Sequence, residues 1–232
     1  MKFRIFALFL VLVSFSVSIS AQDCNAFYRF NENATYEYGY YDKKGKPEGR
    51  ELHRISNLST DADGTVSAEL HSKLIPEKKN ADVFESNSTV TCKDGILHLD
   101  LSMNMSSMMS QYQDMEVSLE GTPLEIPYDL KVGQTLPDAT TKVKTGVNGM
   151  NLMSVTMSIT DRNVEAKEKI TTPAGTFDCF KISQTTSMKT IISKTFTTVD
   201  YYAEGVGLVR SETYSKNGKL ESSRELLSLT EE

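Results

Sequence analysis

The sequence predicts an all-β protein: a curved antiparallel sheet forming an up-and-down β-barrel or half-barrel of the lipocalin-like or lipoprotein-carrier-like kind, with one short helix. Three observations predict it. Apolar and polar residues alternate along most of the chain, glycine-bearing turns punctuate these runs, and ten Tyr and ten Phe accompany many Thr and Val. Alternation places apolar side chains on one face of a strand. One-sided burial belongs to antiparallel rather than parallel sheet, and hairpin-length connections favour an up-and-down barrel.

Taken in order, the chain opens with the basic start Met1-Lys2-Phe3-Arg4, an apolar run from Ile5 to Val17, and Ser18-Ile19-Ser20-Ala21. These are the parts of a secretory signal peptide, expected over residues 1–21 with cleavage after Ala21. The run is too short for a spanning helix, which needs about 20 apolar residues. Cys24 follows closely, but Gln22 and Asp23 are not the small or apolar residues that lipid attachment wants. Residues 22–232 then read as a single antiparallel β domain without a transmembrane segment.

The first alternating stripe is Tyr36, Tyr38 and Tyr40; Val66, Ala68, Leu70 and Leu74 form the next, and Leu97, Leu99 and Leu101 a third. Leu101, Met105, Met108, Met109 and Tyr112 fall at helical spacing, with Ser102 as a cap, and predict the one short helix. Met115, Val117 and Leu119 resume the alternation, and Met153, Val155, Met157 and Ile159 give its clearest stretch. Between them, Leu124-Glu-Ile-Pro127 through Leu136-Pro137-Asp138 reads as a proline-punctuated connection over the sheet surface. Asp42-Lys-Lys-Gly45, Asp61-Ala-Asp-Gly64, Lys93-Asp-Gly95, Pro173-Ala-Gly175 and Lys216-Asn-Gly218 place glycine where a turn wants a positive φ. Gly205-Val-Gly207 reads as a tight turn after Tyr201-Tyr202. One word occurs twice: Tyr41-Asp-Lys-Lys-Gly45-Lys46 before Arg50-Glu51-Leu52 is echoed by Tyr214-Ser-Lys-Asn-Gly218-Lys219 before Arg224-Glu225-Leu226. The two read as ordinary charged hairpins more readily than as a remnant duplication.

Three cysteines, Cys24, Cys92 and Cys179, allow three pairings in an oxidising compartment. Joining Cys24, at the loose start of the mature chain, to Cys92, at a strand end, is the pairing expected here. It leaves Cys179 as a buried thiol that packs like a small hydrophobe.

Composition and spacing exclude several activities. Loss of Lys2 and Arg4 takes the net charge from −6 to −8, and an acidic chain without a basic cluster repels nucleic acid. His53, His71 and His98 stand at no metal-ligand spacing, and His71 and His98 occupy the polar phase of their strands, so no metal is expected. There is no Gly-x-Ser-x-Gly elbow, no phosphate-cradling loop and no dinucleotide fingerprint. Glu37, Glu51, Glu69, Glu116 and Glu120 read as residues of exposed strand faces. The expectation is a protein without catalysis and without a cofactor. Its apolar concave face, with Met115, Val117, Met153, Val155, Met157 and Ile159 and a lid carrying Met105, Met108, Met109 and Tyr112, would bind an apolar small molecule or lipid. A structural or assembly accessory that binds another envelope protein is the alternative.

Three words resemble a known family: Leu130-Lys-Val-Gly133-Gln-Thr-Leu-Pro137-Asp138, Thr172-Pro-Ala-Gly-Thr-Phe-Asp-Cys179 and Tyr202-Ala-Glu-Gly205-Val-Gly-Leu-Val209. They are similar to exported envelope proteins known as TapB-like or as domains of unknown function, best from about Leu124 to Leu226. The resemblance implies a Gram-negative bacterial source, a periplasmic, outer-membrane-associated or extracellular location, and a curved antiparallel sheet or barrel. It extends to an early cysteine and one at a mid-chain strand end, matching Cys24 and Cys92, and it brings no activity and no catalytic residues.

Overall fold

The structure, a computed structural model, describes residues 24, 27, 30–101, 116–147 and 150–231. Its strands are β1 (Thr35–Asp42), β2 (Pro47–Thr60), β3 (Val66–Pro76), β4 (Phe84–Lys93), β5 (Ile96–Leu99), β6 (Glu116–Thr122), β7 (Leu124–Pro127), β8 (Thr135–Leu136), β9 (Ala139–Val147), β10 (Met150–Thr172), β11 (Gly175–Lys189), β12 (Ser193–Ala203), β13 (Gly207–Tyr214) and β14 (Leu220–Thr230). They pair antiparallel in the order β6-β9-β10-β11-β12-β13-β14-β1-β2-β3-β4-β5-β7, with β8 on β10. Two meanders, β1 to β5 and β9 to β14, are thus joined where β14 meets β1; the all-β antiparallel barrel or half-barrel read from the sequence is a nearly closed barrel.

The barrel closes through a chain crossing. Thr122 pairs with Thr140 of β9 at one edge of the sheet, and Leu124 pairs with Leu99 of β5 at the other. Only Pro123 lies between, and it has no N–H to leave unpaired at the crossing. Gly121 approaches β9 so closely that a Cβ would overlap the Thr140 carbonyl oxygen. The stretch 124–138 therefore does not run over the surface as expected. Leu124, Ile126, Leu130 and Leu136 are buried, because β7 supplies the closing strand. Leu119 also departs from expectation, standing 47% exposed on the edge strand β6.

Inside lie two apolar clusters. The larger includes Phe27, Tyr36, Tyr38, Ile55, Leu70, Leu97, Ile126, Val164, Ile182, Val209 and Leu226; the smaller contains Leu101, Leu124, Ala139, Val143, Val155, Met157 and Ile159. Closed small barrels fill themselves with such side chains. Phe27 packs edge-on against Phe180 with ring centroids 6.0 Å apart. It is held there by the disulfide between Cys24 and Cys92, whose Cα atoms are 5.7 Å apart. Cys179 is a buried free thiol, and burial pushes its pKa up to about 11, which keeps it unreactive. Of the expected helix only Leu101 is described, and it is buried; residues 102–112, with Met105, Met108, Met109 and Tyr112, and also Met115, lie outside the described residues.

The disulfide encloses a long loop and ties Cys24, three residues before the buried Phe27, to the end of β4. Replacing both cysteines by serine is expected to lower unfolding stability by about 2–4 kcal/mol in urea titrations. An unchanged midpoint would show that Phe27 is held by packing alone.

Candidate functional site

Between the two apolar clusters lies a cavity of about 290 Å³. Leu70, Leu97, Leu99, Leu101, Leu124, Met157 and Ile159 form one wall, with the exposed Asp100 between Leu99 and Leu101. Glu51, His53, Gln184, Asp200, Ser211 and Arg224 face them, with the hydroxyls of Thr186, Thr198 and Thr213 alongside. The polar wall follows from register. Asp200 pairs with Ser211, Ser211 with Arg224, Arg224 with Tyr40, Tyr38 with Glu51, and His53 with Ser72. A polar belt therefore crosses adjacent strands from β12 to β3 on the inner face.

Arg224 is the centre of the belt. Its guanidinium carbon lies 4.0 Å from the Tyr38 ring centroid, its Nη1 donates to the Tyr40 hydroxyl at 3.2 Å, and Nη1 stands 3.4 Å from Glu51 Oε2. The Tyr40 hydroxyl donates to Glu51 Oε2 at 2.6 Å. His53 Nε2 stands 3.2 Å from Glu51 Oε1. Glu51 was expected on an exposed face; its side chain is 15% exposed and turned inward. Burial raises the Glu51 pKa, but Arg224, His53 and Tyr40 outweigh it and hold the carboxyl at about 2. Burial lowers the His53 pKa against the opposing pull of Glu51, so the imidazole is kept neutral. On Arg224, burial works against the charge, while Tyr40 and Glu51 more than restore it.

The repeated hairpin explains how this pair arose in register. In both hairpins the turn has the same hydrogen bonds, Asp42 N to Lys46 O and Ser215 N to Lys219 O, with a glycine N–H closing on Asp42 or Ser215. Both have the same one-residue bulge, so that Tyr38 opposite Glu51 and Ser211 opposite Arg224 are equivalent positions. The word Arg-Glu-Leu is displaced by one residue between them. That shift turns Glu51 inward in one copy and Arg224 inward in the other, since a one-residue slip exchanges faces.

A second network closes the belt. Arg162 is 1% exposed and donates Nη1 to the Pro137 carbonyl (2.7 Å), Nη2 to the Glu125 carbonyl (3.0 Å) and Nε to Gln184 Oε1 (3.2 Å). Gln184 Nε2 in turn donates to Asp200 Oδ2 at 2.7 Å. Burial raises the Asp200 pKa, opposed in part by Ser211, the two arginines and Gln184. Arg162 faces inward because Asp161, at φ 52°, sits where the β10 register shifts and the inner phase moves from odd to even residues.

Of the residues expected to bind a ligand, Met157 and Ile159 line the cavity. Val155 is packed in the smaller cluster, and Met153 is half-buried against it. Val117 lies in β6, with its side chain outside the described residues. The sequence reading missed Glu51, His53, Arg162, Gln184, Asp200 and Arg224. The passage from Ile159 to Val164, where the apolar phase changes across Asp-Arg-Asn, was the signal for Arg162. Among the described residues no group of His, Cys, Asp and Glu could hold a metal ion, and no helix is long and apolar enough to cross a membrane.

A family model described as DUF3108-like matches residues 31–226. The chain belongs to this family. The match spans the whole barrel, from β1 into β14, and so includes every member of the polar belt. Two solved structures share the fold. One is a Bacteroides fragilis protein described as exported and of YmcC-like fold, 19% identical, with a TM-score of 0.71 over 89% of this chain and all of that one. The other is a Parabacteroides distasonis protein described as a lipoprotein, 24% identical, with a TM-score of 0.69 over 90% of this chain and all of that one. No curated protein matches.

Removing one partner of a largely buried ion pair strands the other. Arg224→Met is expected to cost about 3–5 kcal/mol of stability by urea unfolding; a loss under about 1 kcal/mol would mean Glu51 finds water. The pH dependence has a definite sign. His53 and Glu51 both have folded pKa values below their ordinary 6.5 and 4.5. The unfolded chain therefore takes up these protons first, and stability is present above the unfolded values and lost as pH falls through the folded ones. Unfolding midpoints from pH 8 to 3 should begin to fall near pH 6.5, and His53→Gln should flatten that upper part. An equally steep fall in the variant would assign it to other groups.

Proposed function

We propose that this is an exported, non-enzymatic binding protein of the bacterial cell envelope that holds a small apolar ligand, such as a single acyl chain, inside its barrel. The observation that carries the reading is the cavity in which an apolar wall, with Met157 and Ile159, faces the Arg224 belt. A ligand with an apolar body and a polar end fits such a lining. Its volume, about 290 Å³, lies at the lower edge of the range of about 300–1,000 Å³ for small-molecule sites. That favours one chain over a two-chain lipid. The belt's charged groups are engaged with one another, with Glu51 held ionised by Arg224 and His53 held neutral by burial, which supports binding over acid–base chemistry. Export is supported by the signal-peptide pattern, by a disulfide suited to an oxidising compartment, and by fold relatives described as exported or as a lipoprotein.

Native mass spectrometry of the mature chain purified from a bacterial periplasm, followed by organic extraction, tests this directly. A stoichiometric apolar adduct is expected in the wild type and should be lost in Met157→Trp, which fills the cavity. A bare mass that stays bare after incubation with envelope lipids would overturn the proposal.

A further inference from the structure

We propose that the end of the barrel where β9 ends, β10 begins and β11 turns into β12 docks on an anionic lipid membrane, with Ile191 and Ile192 as the inserted tip. Ile191 is 102% exposed and Ile192 70%. Of the ten large apolar side chains that stand exposed among the described residues, five (Val147, Met150, Leu152, Ile191 and Ile192) belong to these two hairpin ends. Both ends project from the same side of the sheet, because Thr156 pairs with Lys142 of β9 and with Lys189 of β11.

The charge next to the isoleucines favours an anionic partner, with Glu116 of β6, opposite Gly146, as the nearest strand-end carboxylate on the β9 side. Residues 139–160 and 182–199 contain Lys142, Lys144, Lys189 and Lys194 and not one Asp or Glu, in a chain whose net charge is −6. Lys144 is paired with Glu120 across the sheet, whereas Lys189 and Lys194 bracket the isoleucines in Lys-Thr-Ile-Ile-Ser-Lys. An apolar tip flanked by lysines suits a bilayer surface: the isoleucines enter the hydrocarbon boundary while the ammonium groups stay with lipid phosphates. A protein partner is less well served, since a stable interface needs about 800 Å² on each side and a hairpin tip is small and convex. Thr186 and Phe196 pair with each other a few residues from this tip, and both line the cavity. The docking end is thus the end toward which the cavity extends.

The test is co-sedimentation of the mature protein with vesicles of phosphatidylethanolamine and phosphatidylglycerol, beside vesicles of phosphatidylcholine alone. The wild type should sediment with the anionic vesicles, and I191S/I192S should lower the partition about tenfold or more. K189E/K194E should also weaken it, and added salt should weaken the wild type. Both pairs are exposed, so thermal unfolding should be unchanged, and Met157→Trp should still bind because the cavity takes no part. The chain has no Trp, which makes Ile191→Trp a single reporter whose emission should shift to the blue on anionic vesicles. Equal partition of wild type and I191S/I192S, a wild type left in solution, or an unmoved Ile191→Trp emission would each overturn the proposal.

Discussion

Between Thr122 and Leu124 the chain passes from one edge of the sheet to the other, and Arg162 fastens the place where it crosses. An open sheet of this many strands would present two edges, each a row of unpaired donors and acceptors. Here one continuous segment occupies both edges, hydrogen-bonded to β9 before Pro123 and to β5 after it. Closure costs little chain entropy because the two edges are already covalent neighbours. It does require a backbone approach that only Gly121 permits. Arg162 then bonds the Glu125 carbonyl of β7 and the Pro137 carbonyl ahead of β9 from its place on β10. One side chain thereby satisfies carbonyls from both flanks of the seam that no ladder reaches.

The enclosed volume inherits its chemistry from this closure. A barrel wholly filled by aliphatic residues would be at least as stable as one carrying Arg224 and Glu51, because buried ion pairs regain in Coulomb energy little more than they lose in desolvation. Stability therefore does not account for the belt. What the belt does provide is polarity on one wall of a cavity whose other wall is chiefly Leu, Met and Ile, with each charged group of the belt held in place by neighbours on adjacent strands. Arg224 is stacked on Tyr38 and bonded to Tyr40, so its orientation is set before any ligand arrives. Preorganisation of this kind lowers the entropic cost of binding.

The barrel was legible because period-2 alternation and glycine turns are local signals, and they marked β3, β5, β10 and most hairpins directly. The seam was not. Leu124 and Ile126 sit in a four-residue strand bounded by prolines, and nothing within four residues distinguishes a closing strand from a surface connection. The belt was hidden for a different reason. Alternation identifies which phase of a strand faces inward only while the phase holds, and the bulges at Asp161 and in the two repeated hairpins each shift it by one residue. Glu51 and Arg224 were visible as members of a repeated word, but their inward direction depends on a one-residue displacement that acquires meaning only when the register of both hairpins is known. Met157 and Ile159, ahead of the bulge at Asp161, kept the phase that the sequence assigned.

The same geometry gives the barrel two unlike ends. At one, the disulfide of Cys24 and Cys92 fixes Phe27 against Phe180, so that a covalently tethered aromatic side chain forms part of the cavity wall. At the other, β10 and β11 run on toward exposed Met150, Leu152, Ile191 and Ile192, with Lys189 and Lys194 on either side of the isoleucines. Movement is resisted at the first end by a covalent link and by the larger apolar cluster. At the second, among the described residues, the interior is packed by the smaller cluster, with Leu101, Leu124, Ala139, Val143, Val155, Met157 and Ile159. Local opening follows the lower density of buried contacts. A ligand of the kind proposed would pass Met157 and Phe196, which line the cavity toward the end that carries Ile191 and Ile192, and a membrane docked there as proposed would face the cavity.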